Sequence, residues 1–320
     1  MKQLTYCGIH CAAVAAAAVC GIATPRAAMA HGFEGDRFFP PTIQTDDPFA
    51  TDELSLPNIQ LFQDPPTPGG SKTREIDYGA EFDKEIFPGF DLEFSDAFTT
   101  LNPKVGASTS GFQNLALGWK YELIQIPDHE FIFSIGTEWE IGGTGGQSIG
   151  RDSFSTFTPL LYAGKGFGDL PDSAPMLKPF AITGILGEDL PTEAADPNAL
   201  EWGIALEYSL IYLEQNVKDT GMPQPFRNMI PLVELAMQSP QNRNGGPTTG
   251  TVNPGVLWET RYFQVGAEAV IPINSHSGSN VGFVFNVNIF IDDIWPKVFG
   301  HPIFGGSENV AASSAPVSPK

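Results

Sequence analysis

Apolar and polar residues alternate along most of this chain. From Leu200 the apolar positions are Leu200, Trp202, Ile204, Leu206, Tyr208, Leu210 and Tyr212, with Glu201, Gly203, Ala205, Glu207 and Ser209 between them. A period of two puts successive side chains on opposite faces of a strand, so each such segment shows one apolar and one polar face. Leu115, Leu117, Trp119, Tyr121 and Leu123 repeat the pattern, as do Phe131, Phe133, Ile135, Trp139 and Ile141. Val281, Phe283, Phe285, Val287, Ile289 and Ile291 form the last such run.

The pattern predicts twelve strands, near 55–63, 73–85, 89–98, 111–124, 130–141, 152–164, 177–187, 199–213, 229–238, 251–259, 262–273 and 280–291. The sixth, seventh and ninth alternate weakly, so ten or fourteen strands are also compatible. Several segments exceed the ~5–6 residues usual for a soluble strand and match the ~9–11 of a tilted strand that crosses a bilayer. No stretch offers the ~20 apolar residues of a spanning helix after the first thirty positions. The expected fold is therefore all-β, an antiparallel transmembrane β-barrel, the architecture besides the helix that satisfies every backbone group in lipid. A soluble β-sandwich with its aromatics in the core is the competing architecture.

Connections support the barrel. With the amino terminus on the inner side, the outward connections are rich in Gly, Pro, Asp, Asn and Ser, as at Asp64–Lys72, Gly142–Arg151 and Ser239–Gly250. Inward turns at Phe87-Pro88, Pro127-Asp128 and Thr260-Arg261 are short, the asymmetry of outer-membrane barrels. Two inward connections, Lys165–Met176 and Glu214–Arg227, are longer than that rule expects.

Aromatic residues fall on the apolar phase: Trp119, Tyr121, Trp139, Trp202, Tyr208, Tyr212 and Trp258. On a lipid-facing wall they would form interfacial girdles. The opposite phase carries acids, and Glu75, Asp77, Glu81, Glu93, Glu138, Glu140, Glu201 and Glu207 are the candidate lumen-facing set. Their summed field favours cations, provided that water keeps them charged. On these rules Leu206→Arg is expected to be costly and Gly203→Ser, on the other face, mild.

The first thirty residues have the form of a leader: Lys2, an alanine-rich run from Cys11 to Ala23, and Ala28-Met29-Ala30 before His31. The expected organisation is a signal peptide at 1–30, an irregular arm at 31–54, a barrel at 55–291 and a Ser/Ala/Pro-rich tail within 292–320. All three cysteines (Cys7, Cys11, Cys20) belong to the leader, which leaves the exported chain without thiolate chemistry or disulfides. The leader holds two of the 17 basic residues and none of the 37 acidic ones, so the remainder carries a net charge of −22. Nucleic acid is a poor partner for such a surface.

Other candidate chemistry is weak. His31 would become an amino terminus able to clasp copper, but no second ligand stands at a useful spacing. Gly146-Gln147-Ser148-Ile149-Gly150 spells a hydrolase elbow in a glycine-rich loop, without the flanking strand and helix that elbow needs. Gly164–Pro171 lacks the spacing of a phosphate loop and is expected to be a turn. No catalytic residue and no cofactor is expected.

The chain resembles a large group of bacterial outer-membrane β-barrels whose relatives include proteins named as transporters of the phenol-degradation (meta-pathway) type. The resemblance rests on His31-Gly32-Phe33, Arg37-Phe38-Phe39-Pro40, Asp46-Asp47-Pro48-Phe49, Asp52-Glu53-Leu54-Ser55, Gly164–Pro171, Pro179-Phe180-Ala181 and Asp292-Asp293. It spans most of the chain, implies an outer-membrane location, and brings no assigned ligand residues. Asn280-x-Gly282-x-x-Phe285-x-Val287 is similar to the terminal-strand signal read by barrel assembly machinery, although 29 residues follow Ile291. Expected partners are outer-membrane lipid, that machinery and small solutes. Three functions remain: a passive channel or uptake barrel with a cation-preferring lumen, a structural or binding barrel with a blocked lumen, and a periplasmic binding sandwich.

Overall fold

The structure, a computed structural model, describes residues 32–64, 72–241 and 245–305. The expected leader, His31 and the tail from 306 lie outside the described residues.

Twelve antiparallel strands close into a barrel. They are β3(Glu53–Gln63), β4(Thr73–Phe87), β5(Phe90–Pro103), β7(Ala116–Ile126), β8(Phe131–Glu140) and β9(Thr156–Gly166), then β10(Phe180–Pro191), β11(Ala199–Tyr208), β12(Met229–Pro240), β13(Thr249–Glu259), β14(Phe263–Pro272) and β15(Gly282–Phe290). Neighbours in sequence are neighbours in space, and β15 pairs with β3 to close the ring. The short β6(Thr109–Phe112) pairs with the loop-side end of β5, and β7 pairs with the rest of that strand. β6 and β7 thus form one interrupted strand, where the alternation predicts one. Closure leaves no free edge along the wall, which removes the soluble sandwich from the competition.

Register fixes the two faces. Glu201, Gly203, Ala205 and Glu207 of β11 lie opposite Gly187, Ile185, Thr183 and Ala181 of β10, all pointing inward. Leu206 and Ile204 point outward and are exposed. The outward face is mostly apolar, with Trp139, Phe157, Leu161, Leu186, Val233 and Phe283 all exposed. Such a wall fits hydrocarbon and not water. The chain is a transmembrane β-barrel.

One expected strand ends early. β11 stops at Tyr208, because the Ser209 hydroxyl accepts a hydrogen bond from Tyr212 N (3.1 Å) and starts the helical turn Leu210–Tyr212. Leu210 and Tyr212 continue the alternation in sequence without continuing the strand. Tyr212 is consequently not part of an outward girdle: it is 7% exposed and turned inward.

The arm before β3 enters the barrel. A two-residue hairpin, β1(Phe33–Glu34) with β2(Arg37–Phe38), is followed by irregular chain to Asp52. Two apolar clusters seat it. Phe39 and Phe49 pack with Ile132 and Ala181, and Phe38 and Ile43 pack on Ile230, Leu232 and Leu257. Inward glycines make room, since a Cβ on Gly203 would collide with Thr45 and one on Gly266 would press on Ile43.

Candidate functional site: an acidic vestibule floored by the amino-terminal arm

The arm is held by interior groups of many strands. The Glu234 carboxylate of β12 accepts from the backbone N–H of Ile43 (2.8 Å), Gln44 (3.0 Å) and Thr45 (2.6 Å), and from the Thr45 hydroxyl (2.7 Å). One side chain thus fastens three consecutive residues. Gln264 of β14 donates to Pro41 O (2.7 Å), and Ser134 of β8 donates to Pro48 O. Glu122 of β7 accepts from Ala50 N (3.0 Å). Lys120 of β7, itself buried, places its ammonium 2.8 Å from Asp46 and 3.2 Å from Glu93.

A second lock stands at the short-turn end. The buried Arg37 guanidinium lies 3.3 Å from Glu130 and 3.8 Å above the Tyr212 ring, and donates to Pro179 O (3.0 Å) and to Lys178 O. The Tyr212 hydroxyl donates to the other Glu130 oxygen (2.8 Å). Burial pulls the guanidinium below its ordinary pKa, against the attraction of Glu130. Burial also pushes the Tyr212 phenol up, and the Glu130 carboxylate adds to it. Gly168 N donates to Glu130 (2.9 Å), and a Cβ at Gly166 or Gly168 would strike that carboxylate. The Gly164–Pro171 segment is therefore a seat for Glu130. The connections after β9 and β11 contribute Gly168, Lys178, Pro179 and Tyr212 to this lock.

Asp46 and Asp47 are the top of the plug. Asp47 turns back to accept from Phe49 N (2.8 Å), and burial raises its pKa, opposed by Lys120 and reinforced by Asp46 and Glu53. Above them, towards the loop end, is a cavity of about 240 Å³ lined by Glu81, Glu138, Glu140, Ser95, Gln113 and Asn114. A smaller one, about 40 Å³, lies between arm and wall among Asp46, Asp47, Glu81, Asp83, Asp91, Glu93 and Lys120.

The candidate acids all sit on the inward phase, but they do not share one space. Glu81, Glu93, Glu138, Glu140 and Glu201 face the middle of the barrel, with Glu140 accepting from Asn114 (2.7 Å). Glu75 and Asp77 lie nearer the loops, where Arg151 stands 3.8 Å from Glu75, and Asp77 accepts from Thr99 (2.5 Å). Six residues of strand, ~20 Å, separate Glu75 from Glu81. Glu207 is buried at the other end, near Arg37.

The remaining aromatic candidates divide between two levels on the outward face. Trp119, Tyr121, Tyr208 and Trp258 stand towards the short turns, with Trp119 stacked on Phe90 (5.8 Å) and Trp258 beside Phe263 (5.9 Å). Trp139 and Trp202 stand towards the loops. Among the described residues no group of three or more His, Cys, Asp or Glu side chains is arranged to hold a metal ion.

No protein-family model matches the chain, and no curated protein matches it. Solved structures do. The KdgM porin is 11% identical, with 73% of this chain and 98% of that one aligned at a TM-score of 0.42. An outer membrane channel from Pseudomonas putida is 12% identical, with 78% and 98% aligned at 0.48. The NanC porin is 10% identical, with 74% and 98% aligned at 0.44.

Proposed function

We propose that this chain is an outer-membrane barrel whose lumen is stoppered by its own amino-terminal arm, and that it admits small cationic solutes when the arm shifts. The vestibule supplies attraction: Glu81, Glu138 and Glu140 line it, and among the described residues no Lys or Arg side chain does. A low-dielectric wall concentrates their field on an entering cation. The arm supplies closure, and the observation that carries the reading is the carboxylate of Glu234 gripping Ile43, Gln44 and Thr45 across the barrel interior. A permanently open pore does not agree with chain occupying the lumen, whereas passive passage past a displaced arm does.

Planar-bilayer recording tests this. The full chain is expected to be mostly closed, with rare openings. Arg37→Ala combined with Glu234→Gln is expected to raise the open fraction strongly, with potassium preferred over chloride. A barrel that stays silent after both locks are cut favours a structural or binding role. An open wild-type pore removes the stopper.

A further inference from the structure

β4 carries a charge on the wrong face. Phe82, Lys84 and Ile86 alternate with the inward Asp83 and Glu85, so Lys84 belongs to the apolar outer wall. An ammonium there is costly against lipid. It is instead covered, with its side chain 11% exposed. Asp52 pairs with it at 2.5 Å, His301 O accepts from it at 3.1 Å, and the Phe299 ring lies 5.9 Å away. The chain that follows β15 is what covers it.

That chain also repairs an edge. β3 begins at Glu53 opposite Asp83, which leaves Glu85 and Ile86 of β4 without a partner strand on that side. Asp52 accepts from Glu85 N (2.6 Å), Ile303 N donates to Glu85 O (3.2 Å), and Phe304 N donates to Ile86 O (2.9 Å). Backbone groups at a membrane-facing wall must be satisfied by protein, and residues 303 and 304 do this. Phe299 meets Phe82 edge-on at 6.4 Å.

With one face against β4, the segment turns another outward. Trp295 (55%), Val298 (61%), Ile303 and Phe304 (57%) are exposed. Rings run without a break from this segment to the barrel wall: Phe304 to Phe87 at 5.5 Å, Phe87 to Phe90 at 6.2 Å, and Phe90 to Trp119 at 5.8 Å. The occupant that covers Trp119 and Phe90 therefore meets Phe304 and its neighbours as well.

We propose that residues 295–304 dock on the lipid bilayer interface, as a collar that continues the aromatic rim of the barrel at its short-turn end. The inference rests on the barrel residing in a membrane. Tryptophan with branched and aromatic neighbours suits the boundary between headgroups and acyl chains. The backbone N–H groups of Ile303 and Phe304 are already bonded to β4, so they need no water there, and the exposed Lys297 and His301 can meet headgroups.

Nitroxide labels test it on the full chain in phosphatidylcholine–phosphatidylethanolamine vesicles, with the leader cysteines replaced by serine where present. Single cysteines are placed by Val298→Cys, by Leu206→Cys on the wall, and by Ala195→Cys in an outer loop. Collisions with oxygen, which favours lipid, are compared with those of a water-soluble nickel complex. The expected result is an oxygen preference at 298 clearly above that at 195 and below that at 206. A value at 298 equal to that at 195, with 206 still lipid-like, overturns the collar alone. A water-like value at 206 overturns the membrane barrel itself, and the collar with it. Exclusion of both reagents at 298 means a protein partner, such as a second copy, and also overturns the proposal. The unlabelled chain gives an independent check: lipids brominated at shallow chain positions are expected to quench a component that Trp295→Phe removes. Loss of no such component counts against the collar.

Discussion

Arg37 lies over the ring of Tyr212 with its guanidinium carbon 3.8 Å from the centroid, while both residues bond to Glu130. The first comes from the arm, the second from a helical turn after β11, and the third from the turn between β7 and β8. Three distant parts of the chain thus share one buried charge pair, and its loss should be felt by the arm before the barrel. Arg37→Ala leaves Glu130 buried without its cation, a change expected to cost about 3–5 kcal/mol of docking. Arg37→Lys should rescue only part, because an ammonium cannot reach Glu130, Lys178 O and Pro179 O in one planar fork. Hydrogen exchange reads this directly: amides of Ile43, Gln44 and Thr45 should exchange much faster in Arg37→Ala while strand amides keep their protection. Uniform loss of protection would mean that the pair holds the barrel and not the arm.

Gly203 and Leu206 stand three residues apart on β11 and face opposite solvents. Leu206→Arg puts a charge on the outer wall and should hinder folding into bilayers by ~2–4 kcal/mol near the midplane. Gly203→Ser looks harmless from alternation, which places it on the polar phase. The structure changes that expectation, because a Cβ at Gly203 would run into Thr45. Overpacking of this kind costs about 1–3 kcal/mol, and here the arm can yield where the strand cannot. Folding of Gly203→Ser should be close to wild type by heat-modifiable gel mobility, and its arm should exchange faster. A defect in insertion equal to that of Leu206→Arg would contradict the assignment.

How well the sequence announced this molecule depended on what each strand faces. The clearest strands, such as β7 and β11, have lipid-type residues on one side and charged or small residues on the other, so period two stands out. The sixth, seventh and ninth expected strands became β9, β10 and β12, and all three are real. Their inward positions include Leu160, Tyr162, Ile185, Ile230 and Leu232, several of them packed on or around the arm. A plug makes the inner face apolar as well, and the alternation fades for that reason. The same fact concealed Glu234, a lone acid among apolar neighbours on a weak strand. Glu130 was concealed by its place in a turn. The arm motif Arg37-Phe38-Phe39-Pro40 and the Gly164–Pro171 segment were visible separately, and only the fold shows that Glu130 joins them. Tyr212 kept the alternation going past Ser209, where a cap ends the strand.

Selectivity should reside in the mid-barrel acids and not in those near the loops. With the arm loosened by Arg37→Ala and Glu234→Gln, reversal potentials in a potassium chloride gradient should lie on the cation side. Glu81→Gln, Glu138→Gln and Glu140→Gln together should move them towards zero, since these groups line the vestibule. Glu75→Gln should do little, because Arg151 already answers its charge and Asp77 is held by Thr99 and Gln113. A larger effect from Glu75 than from the three together would place the filter at the loops.

Closure should tighten as pH falls, through Asp47. Its carboxyl is raised above the ordinary aspartate value, first by burial and then by Asp46 and Glu53, with Lys120 pulling the other way. Released arm would return Asp47 to water and to a value of ~3.9. The docked state therefore binds the proton more tightly, so protons favour docking. The contribution is complete below the free value and is lost as pH rises through the raised one. Exchange of the Thr45 amide, corrected for its intrinsic pH dependence, should thus be slowest in acid and quicken towards neutrality. Asp47→Asn should flatten this profile while keeping an acceptor for Phe49 N. Faster exchange on acidification, or a profile that Asp47→Asn leaves unchanged, would remove Asp47 from the response.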